Sequence, residues 1–308
     1  MVRGVSAEAT RVRRRRLAWW GAWAAVIVLV LEVTARRYIA APFPCLMPSS
    51  DPEAVFALRP GTYVSDGYLE HVEETRYVIA ADGCQHSGTA PSLLTLGSSH
   101  GFGLAVPQRD AFPDLLRREL AARGHALHGT RNCSVPGQHF LQQARVAERA
   151  MASETHPVAV ILVAPHHLQR AQDWSRLAPR SATVRWITTV SRVARLIYLL
   201  RLHKDFERRG ERYEPPERLA AGLDRLVAAA RSRGTRLALV TLGEPDHRDF
   251  DLVREARARG ITVIRLGWLP RDPSFTVDEE HWSRRGHRVV ATRIAPGLDA
   301  LLRESPAR

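Results

Sequence analysis

Residues 93–103 have the sequence LLTLGSSHGFG, an apolar run that leads directly into a glycine- and serine-rich turn. The run has the length and composition of a buried strand. The apolar spacing at 110–123, followed by Gly124, predicts a helix. Ser99 would therefore lie at the carboxyl end of a strand, where open α/β sheets bind ligands. A serine in such a turn is usually only a turn former, so its role depends on partners elsewhere in the chain.

The candidate partner lies near the other end of the chain, in the segment DEEHWSRRGH at 278–287. Asp278 and His281 are three positions apart and precede a predicted apolar-periodic helix. In such an arrangement a carboxylate can orient an imidazole, which then acts as base toward a hydroxyl. Taken alone, the acidic residues fit an ordinary charged helix start. Together with Ser99 they favour a catalytic set in the chain order Ser, Asp, His.

Two segments between these ends extend the pattern. The sequence NCSVPGQ at 132–138 follows a predicted strand at 126–131, and the backbone N–H of Gly137 can approach a substrate oxygen closely. A plain Pro-Gly turn explains the same residues. The apolar run 158–163 predicts a further buried strand, and it ends at APHH, residues 164–167. Polar residues thus again follow the carboxyl end of a strand.

With these four blocks the chain resembles the SGNH hydrolases, also called the GDSL esterase and lipase family. The family's first block is matched by Gly97, Ser99 and Gly103, and its final Asp-x-x-His by Asp278 and His281. The resemblance extends over most of the chain beyond the N-terminal segment. It implies that Ser99 is the nucleophile, His281 the base and Asp278 the support of the base.

The resemblance also implies an oxyanion hole. Its donors would be the backbone N–H groups of Ser99 and Gly137, with His166 in the place of the family's asparagine; a shift of one residue in the alignment leaves His167 as the alternative. An imperfect third donor would slow the enzyme, because loss of one oxyanion donor typically costs about 10²–10³ in turnover.

The first block departs from the family pattern at two positions. Ser98 stands where the family has aspartate before the nucleophile, and Gly101 stands where it has threonine. Neither residue is the nucleophile, so the chemistry can survive both changes.

Five alternations of strand and helix predict a three-layer α/β/α sandwich with a five-stranded parallel sheet. The resemblance implies the same fold, of flavodoxin-like type. Further predicted strands lie at 237–242 and 261–266 and further helices at 138–151, 219–230 and 252–259, with a strand or short hairpin within 63–82. The predicted organisation is a basic segment 1–16, an apolar helix 17–35, a linker and edge extension 36–90 and an SGNH hydrolase-like domain 91–305.

The N-terminal segment predicts a membrane-spanning helix. Residues 17–31 carry no charge, Glu32 interrupts, and apolar residues continue to Ala35 before Arg36. A spanning helix usually needs about 20 residues, so Glu32 would lie near the far interface. Six arginines precede the run, which favours a cytoplasmic N-terminus and an extracytoplasmic domain. We therefore expect an uncleaved signal-anchor in the cell membrane; a signal peptide cleaved after 33–35 is the alternative, and both export the domain.

Composition excludes other classes of function. The formal charge is +13, but Lys204 is the only lysine, and no nucleic-acid-binding signature accompanies the arginines. We expect no nucleic-acid partner. His100, His166 and His167 follow strand ends, yet without metal-specific spacing, so neither metal nor cofactor is expected.

The three cysteines are compatible with export. Cys45 and Cys84 flank the segment before the first core strand, which predicts a disulfide between them and leaves Cys133 in the core.

Residues 182–204 fall outside the strand–helix alternation. Apolar residues recur there at helical spacing between arginines, which predicts a surface helix packed on the domain. Two other interpretations are a flap over the catalytic cleft and a membrane-facing helix that brings the site to lipid.

These features predict an exported, membrane-anchored serine esterase of the SGNH type that acts through an acyl-serine intermediate. Its substrate would be a small-molecule, glycan or lipid ester, for example an acetyl or acyl ester of the cell envelope. One alternative is an O-acyltransferase or acetyltransferase that uses the same residues. The other is a catalytically impaired SGNH domain that binds polysaccharide during envelope assembly. Protein partners do not follow from the sequence.

Overall fold

A six-stranded, mostly parallel sheet organises the chain. The structure is a computed structural model, and it describes residues 4–38, 45–65, 75–170, 181–209, 212–243, 250–270, 272, 274–277 and 281–304. The strands are β1 (Leu46–Pro48), β2 (Phe56–Leu58), β3 (Gly61–Ser65), β4 (Thr75–Ile79), β5 (Gln85–Gly88), β6 (Ser92–Leu96), β7 (Gly129–Asn132), β8 (Val158–Val163), β9 (Arg236–Thr241) and β10 (Thr262–Arg265).

The helices connect these strands and cover the sheet. They are α1 (Gly4–Tyr38), α2 (Ser99–Phe102), α3 (Phe112–Ala122), α4 (Phe140–Ser153), α5 (Ala182–Val190), α6 (Arg192–Arg209), α7 (Pro216–Arg233), α8 (Leu252–Ala258) and α9 (Arg284–Arg303).

The strand order of the main sheet is β10, β9, β8, β6, β7, β5. β6 pairs in parallel with both β7 and β8, whereas the edge strand β5 runs antiparallel to β7. The predicted five-stranded parallel sheet of flavodoxin-like type is therefore confirmed, with one added edge strand. The winding direction reverses between β6 and β8, and the carboxyl ends of strands at such a switch point form the binding crevice of open α/β sheets.

Two apolar layers enclose the sheet. α4 and α7 pack on one face through side chains such as Phe140, Leu223 and Leu226. α3 and α9 pack on the other through Phe112, Ile294 and others. All six residues of β8 are buried, as expected for a strand covered on both sides. The predicted three-layer α/β/α sandwich is confirmed.

A small third core ties the N-terminal extension to the sheet. β1 pairs with β2, and β3 pairs with β4, in two short antiparallel ribbons; the second is the hairpin expected within 63–82. Phe56 and Tyr77 are buried against Phe102 and Val135, which belong to the loops after β6 and β7. The Tyr77 hydroxyl also accepts a hydrogen bond from the backbone N–H of Ala105 (2.8 Å). The extension thus supports the loops at the switch point.

The predicted Cys45–Cys84 disulfide is wrong. Cys84 is bonded to Cys133, and Cys45 is a free, fully buried thiol. The register of β5 on β7 explains the pairing: Gln85 lies opposite Asn132, so the preceding Cys84 meets the following Cys133. The polar strand QHSG gave no periodic signal, and without β5 the sequence could not bring these two cysteines together.

We expect Cys84→Ser to lower the free energy of unfolding by about 2–4 kcal/mol, because the bond closes a long loop in the unfolded chain. Chemical denaturation of the full chain in detergent measures this. Cys45→Ser is the matched control and should keep the disulfide intact. Loss of the disulfide in Cys45→Ser, seen by non-reducing peptide mapping, would contradict the pairing.

α1 is a single continuous helix, and its segment Val12–Arg36 is long and apolar enough to cross a membrane. No residue in the most apolar window of this segment is buried inside the structure. The structure thus confirms an N-terminal apolar helix preceded by arginines.

The expected single helix at 182–204 is two helices, α5 and α6. The break falls at Ser191, whose hydroxyl accepts a hydrogen bond from the backbone N–H of Ala194 (3.1 Å) and so caps α6.

Candidate active site

Ser99 begins the one-turn helix α2 directly after β6. The backbone of the turn is closed by hydrogen bonds from Phe102 N–H to the Ser98 carbonyl (2.9 Å) and from Gly103 N–H to the Ser99 carbonyl (3.2 Å). Ser98 and His100 are buried, whereas Ser99 between them is partly exposed. The turn therefore presents the Ser99 hydroxyl at the switch point and leaves its own backbone N–H at the start of a helical turn.

Two glycines allow this turn to pack closely. A Cβ at Gly97 would lie 3.2 Å from both the Gly101 Cα and the Leu162 Cβ. A Cβ at Gly101 would collide with the Ser134 hydroxyl. The departure from the family's threonine at position 101 thus has a local cause, because Ser134 occupies the space that a side chain would need.

The loop after β7 is fastened to the serine turn by the Asn132 side chain. Its Nδ2 donates to the Gly101 carbonyl (3.0 Å), and its Oδ1 accepts from the Ser134 N–H (3.1 Å) and the Thr95 hydroxyl (3.1 Å). Asn132 is buried, so all these bonds are shielded from water. The sequence prediction did not single out this residue; its place at a strand end was the available signal.

Gly137 lies next to the serine turn, as the sequence predicts. Its φ of 79° is in the left-handed region that favours glycine. Its backbone N–H donates to the Ser98 hydroxyl oxygen (3.1 Å). Ser98, at the position of the family's aspartate, therefore links the serine turn to the loop that carries Gly137. An oxyanion bound by the Gly137 N–H would have to share or replace this hydrogen bond.

His166 and His167 lie on a 3₁₀ turn, Pro165–Leu168, at the end of β8. His166 is exposed, whereas His167 is buried. Nδ1 of His167 accepts a hydrogen bond from the Ala164 N–H (3.0 Å), and burial holds its pKa well below the usual value. Exposure favours His166 as the residue that reaches a substrate, and His167 is a neutral residue that holds the turn.

A closed hairpin precedes α9 and carries His281. Val277 N–H donates to the His281 carbonyl and Ser283 N–H to the Phe275 carbonyl, each at 2.8 Å. The Ser283 hydroxyl caps α9 by accepting from the Gly286 N–H (3.2 Å). His281, Trp282 and Ser283 therefore lie directly before the start of α9, as the helix-start pattern of this stretch indicates. Asp278 lies outside the described residues, so its place beside His281 stays a prediction.

His281 meets the serine turn through His100. Their ring centroids are 5.5 Å apart, and their planes are inclined by 29° in a stacked arrangement. The buried Trp282 packs edge-on against the other side of the cluster, 4.8 Å from the His100 ring. The structure therefore brings the base candidate, 182 positions away in sequence, to the residue after Ser99. No hydrogen bond joins Ser99 to His281 among the described contacts; such bonds are often loose in unliganded sites and tighten with substrate.

Within the part of the chain that the structure describes, no group of three histidine, cysteine, aspartate or glutamate residues has the geometry of a metal site. The histidines near the site contact one another through ring packing, and His166 and His167 have centroids 4.4 Å apart.

The fold and the site together define a doubly wound α/β protein with a serine and a histidine at the switch point of its sheet. Among solved structures the chain is similar to the esterase EstA from Pseudoalteromonas sp. (11% identity, 70% of this chain and 100% of that chain, TM-score 0.45). It is also similar to LAE5, an alpha/beta hydrolase from the metagenome of Lake Arreo (17% identity, 71% of this chain and 99% of that chain, TM-score 0.44). A third similar structure is that of a lipolytic protein of the G-D-S-L family from Veillonella parvula (13% identity, 69% of this chain and 99% of that chain, TM-score 0.36). No family model matches the sequence, and no curated protein matches it.

Three buried histidines near the site make the fold sensitive to acid. Burial lowers the pKa of His139 and of His287 to about 3, and that of His167 in the same direction. An unfolded histidine has a pKa near 6.5, so below that pH the unfolded chain binds more protons than the native one. Stability is therefore full above about pH 6.5 and falls as the pH drops toward about 3.

We expect His139 and His287 each to remove about 2 kcal/mol of unfolding free energy between pH 7 and pH 5, and His167 to act in the same direction. Urea unfolding of the detergent-solubilised chain at the two pH values measures the loss. His287→Gln should make the loss smaller, whereas His203→Gln, at an exposed position of α6, should leave it unchanged. An equal loss in wild type and His287→Gln would show that His287 is not buried in its neutral form.

Proposed function

We propose that this chain is a serine esterase that hydrolyses a carboxylic ester through an acyl-Ser99 intermediate. The proposal depends mainly on one observation: His281 packs on the residue next to a partly exposed serine at the switch point of the sheet. A serine hydroxyl is a weak nucleophile at its free pKa and needs an adjacent base. His281 is our candidate for that base, because its ring packs on His100, the residue after Ser99.

The proposed chemistry has two stages, acylation of Ser99 and hydrolysis of the acyl-serine. Ser99 Oγ attacks the ester carbonyl while His281 takes its proton, and Asp278 supports the resulting imidazolium. The tetrahedral oxyanion would be bound by the Ser99 N–H, the Gly137 N–H and the His166 side chain. Collapse expels the alcohol, which receives the proton from His281. Water then attacks the acyl-serine and gives up a proton to His281. Collapse of this second intermediate releases the acid, and His281 returns the proton to Ser99 Oγ.

The position of Ser98 gives it a supporting role. Its hydroxyl oxygen accepts a hydrogen bond from the Gly137 N–H and therefore keeps the loop after β7 against the serine turn. An oxyanion can compete for the same N–H, because that donor already points into the serine turn. A net hydrogen bond of this kind is worth about 0.5–1.5 kcal/mol, so Ser98 tunes the rate without being essential.

We further propose that α1 anchors the chain in the cell membrane with the N-terminus in the cytoplasm and the α/β domain outside. The six arginines before Leu17, where the uncharged part of α1 begins, favour this orientation. The Cys84–Cys133 disulfide fits an oxidising compartment. The helix continues through residues 33–35, the expected cleavage site of the alternative signal peptide, and this continuity favours retention of the anchor.

The test is turnover of p-nitrophenyl acetate by the detergent-solubilised full chain. We expect steady release of p-nitrophenol and acetate by wild type and background release by Ser99→Ala. Acetylation of an added sugar in place of acetate release would establish the transferase. A folded wild type that releases no p-nitrophenol but binds envelope polysaccharide would overturn the enzyme proposal in favour of the binding domain.

A further inference from the structure

Glu32 of the N-terminal helix α1 contacts the start of α6. Its carboxylate accepts hydrogen bonds from the Ser191 hydroxyl (2.8 Å), the Arg192 N–H (2.8 Å) and the Val193 N–H (3.3 Å). Arg36 of α1 donates to the Val190 carbonyl at the end of α5 (3.2 Å). A negative charge at a helix N-terminus is favourable, so the junction of α5 and α6 is fixed to α1.

This contact lies near one end of the apolar helix. Glu32 is four residues before Arg36, which is about 6 Å along a helix. Carboxylates within a membrane-spanning segment are costly and normally have a partner. The start of α6 supplies that partner, so the junction is held at the membrane–water interface on the side of the α/β domain.

The two helices α5 and α6, here called the arm, expose apolar side chains beside this junction. Between 39% and 65% of each is accessible, and they are Trp186, Ile187, Val190, Ile197 and Leu200. Tryptophan is enriched at membrane interfaces. The same helices carry Arg185, Arg192, Arg195 and Arg201. Exposed apolar groups combined with arginines are typical of helices that lie in the surface of an anionic bilayer.

The residues that flank the arm in sequence lie beside the turn that carries His166. Gln169, just after the His166 turn, forms a bridge with Tyr213, just after the arm. The Arg170 N–H donates to the Arg212 carbonyl (2.8 Å), and the Glu214 N–H donates to the Leu168 carbonyl (2.9 Å). Residues 168–170 and 212–214, which flank the arm in sequence, are therefore paired with each other next to the His166 turn.

We propose that the arm lies on the phospholipid surface in which α1 is anchored and holds the rim of the active site against it. This rests on the proposed anchor and esterase, and it specifies the substrate as an ester presented at the membrane surface. Packing on the domain alone would bury the apolar side chains of the arm; a flap over the crevice has no need of a connection to α1.

The test uses the full chain in nanodiscs of phosphatidylcholine and phosphatidylglycerol. A cysteine at Trp186→Cys carries an environment-sensitive fluorophore, and Ser232→Cys, at an exposed position of α7, carries the same label as control. We expect the label at position 186 to shift to the blue and to lose most of its fluorescence to nitroxide-bearing lipids. The label at 232 should do neither. Equal, solvent-like behaviour of the two labels would overturn the proposal.

Glu32→Ala tests the contact with α1, and Glu8→Ala is the matched control, since these are the two acidic residues of α1. Quenching at position 186 should fall in Glu32→Ala and persist in Glu8→Ala; undiminished quenching in Glu32→Ala would refute the role of Glu32. Turnover of p-nitrophenyl acetate in the same nanodiscs reports the proposed esterase separately. Turnover without quenching would reject the proposed membrane contact of the arm but not the esterase activity. Quenching without turnover would reject the esterase activity but not the membrane contact.

Discussion

Replacement of Ser99 by alanine should lower kcat/KM for p-nitrophenyl acetate by at least about 10⁴-fold, because the acyl-enzyme route is then closed. Residual catalysis would come from oxyanion stabilisation and binding alone. The measurement is initial-rate kinetics on detergent-solubilised wild type and variant, with circular dichroism to confirm that both are folded.

Ser98→Ala is the matched control for this substitution. Ser98 is the adjacent residue and is buried, and its hydroxyl links the turn to Gly137. Loss of one such hydrogen bond should reduce turnover about threefold to tenfold. If Ser98→Ala lowered turnover more than Ser99→Ala, the assignment of Ser99 as the nucleophile would be wrong.

His281→Ala should lower kcat by about 10³–10⁴-fold, because the proton of Ser99 then has no acceptor and the leaving alcohol no donor. Added imidazole should restore part of the rate, since removal of the side chain opens space beside His100. The readout is kcat with and without imidazole.

Two controls separate chemistry from packing in that experiment. His203→Ala removes an exposed imidazole from α6 and should change nothing. Asp278→Asn should lower kcat while leaving the base in place, as expected for a residue that orients an imidazole. Wild-type turnover in His281→Ala would exclude the proposed triad and leave Ser99 without a base.

The parallel sheet was predictable because its strands are buried on both faces. A continuous apolar run gives a strong local signal, and the structure has β8 at Val158–Val163, the limits that the run indicates. Helix α4 was predictable from its apolar spacing, with its start displaced from 138 to Phe140. The positions of Ser99 and Gly137, after the neighbouring strands β6 and β7, follow from this order of strands.

The contacts between distant segments were not predictable. The edge strand β5 is a short polar sequence without periodicity, so the Cys84–Cys133 disulfide that depends on its register was missed. The packing of His100 on His281 depends on the closed hairpin before α9. In the sequence Glu32 only interrupts an apolar run, and its contact with Ser191 appears only when α1 and α6 are both in place.

The same reason explains why the sequence did not determine which groups the candidate oxyanion donors bind in the structure. Gly137 was expected to offer its N–H to a substrate oxygen, and in the structure that N–H donates to Ser98. The bond depends on Ser98, one of the residues that depart from the family pattern. A family motif gives the position of a donor but not its partner in the resting site.

Peptide mass spectrometry after reaction with a fluorophosphonate tests the central claim most directly. The account predicts one phosphonyl group per chain, located on Ser99, in the full-length protein in detergent, and none in His281→Ala over the same time. An adduct on Ser98 or on another serine, or an unmodified Ser99 in folded wild type, would contradict the assignment of Ser99 as an activated nucleophile.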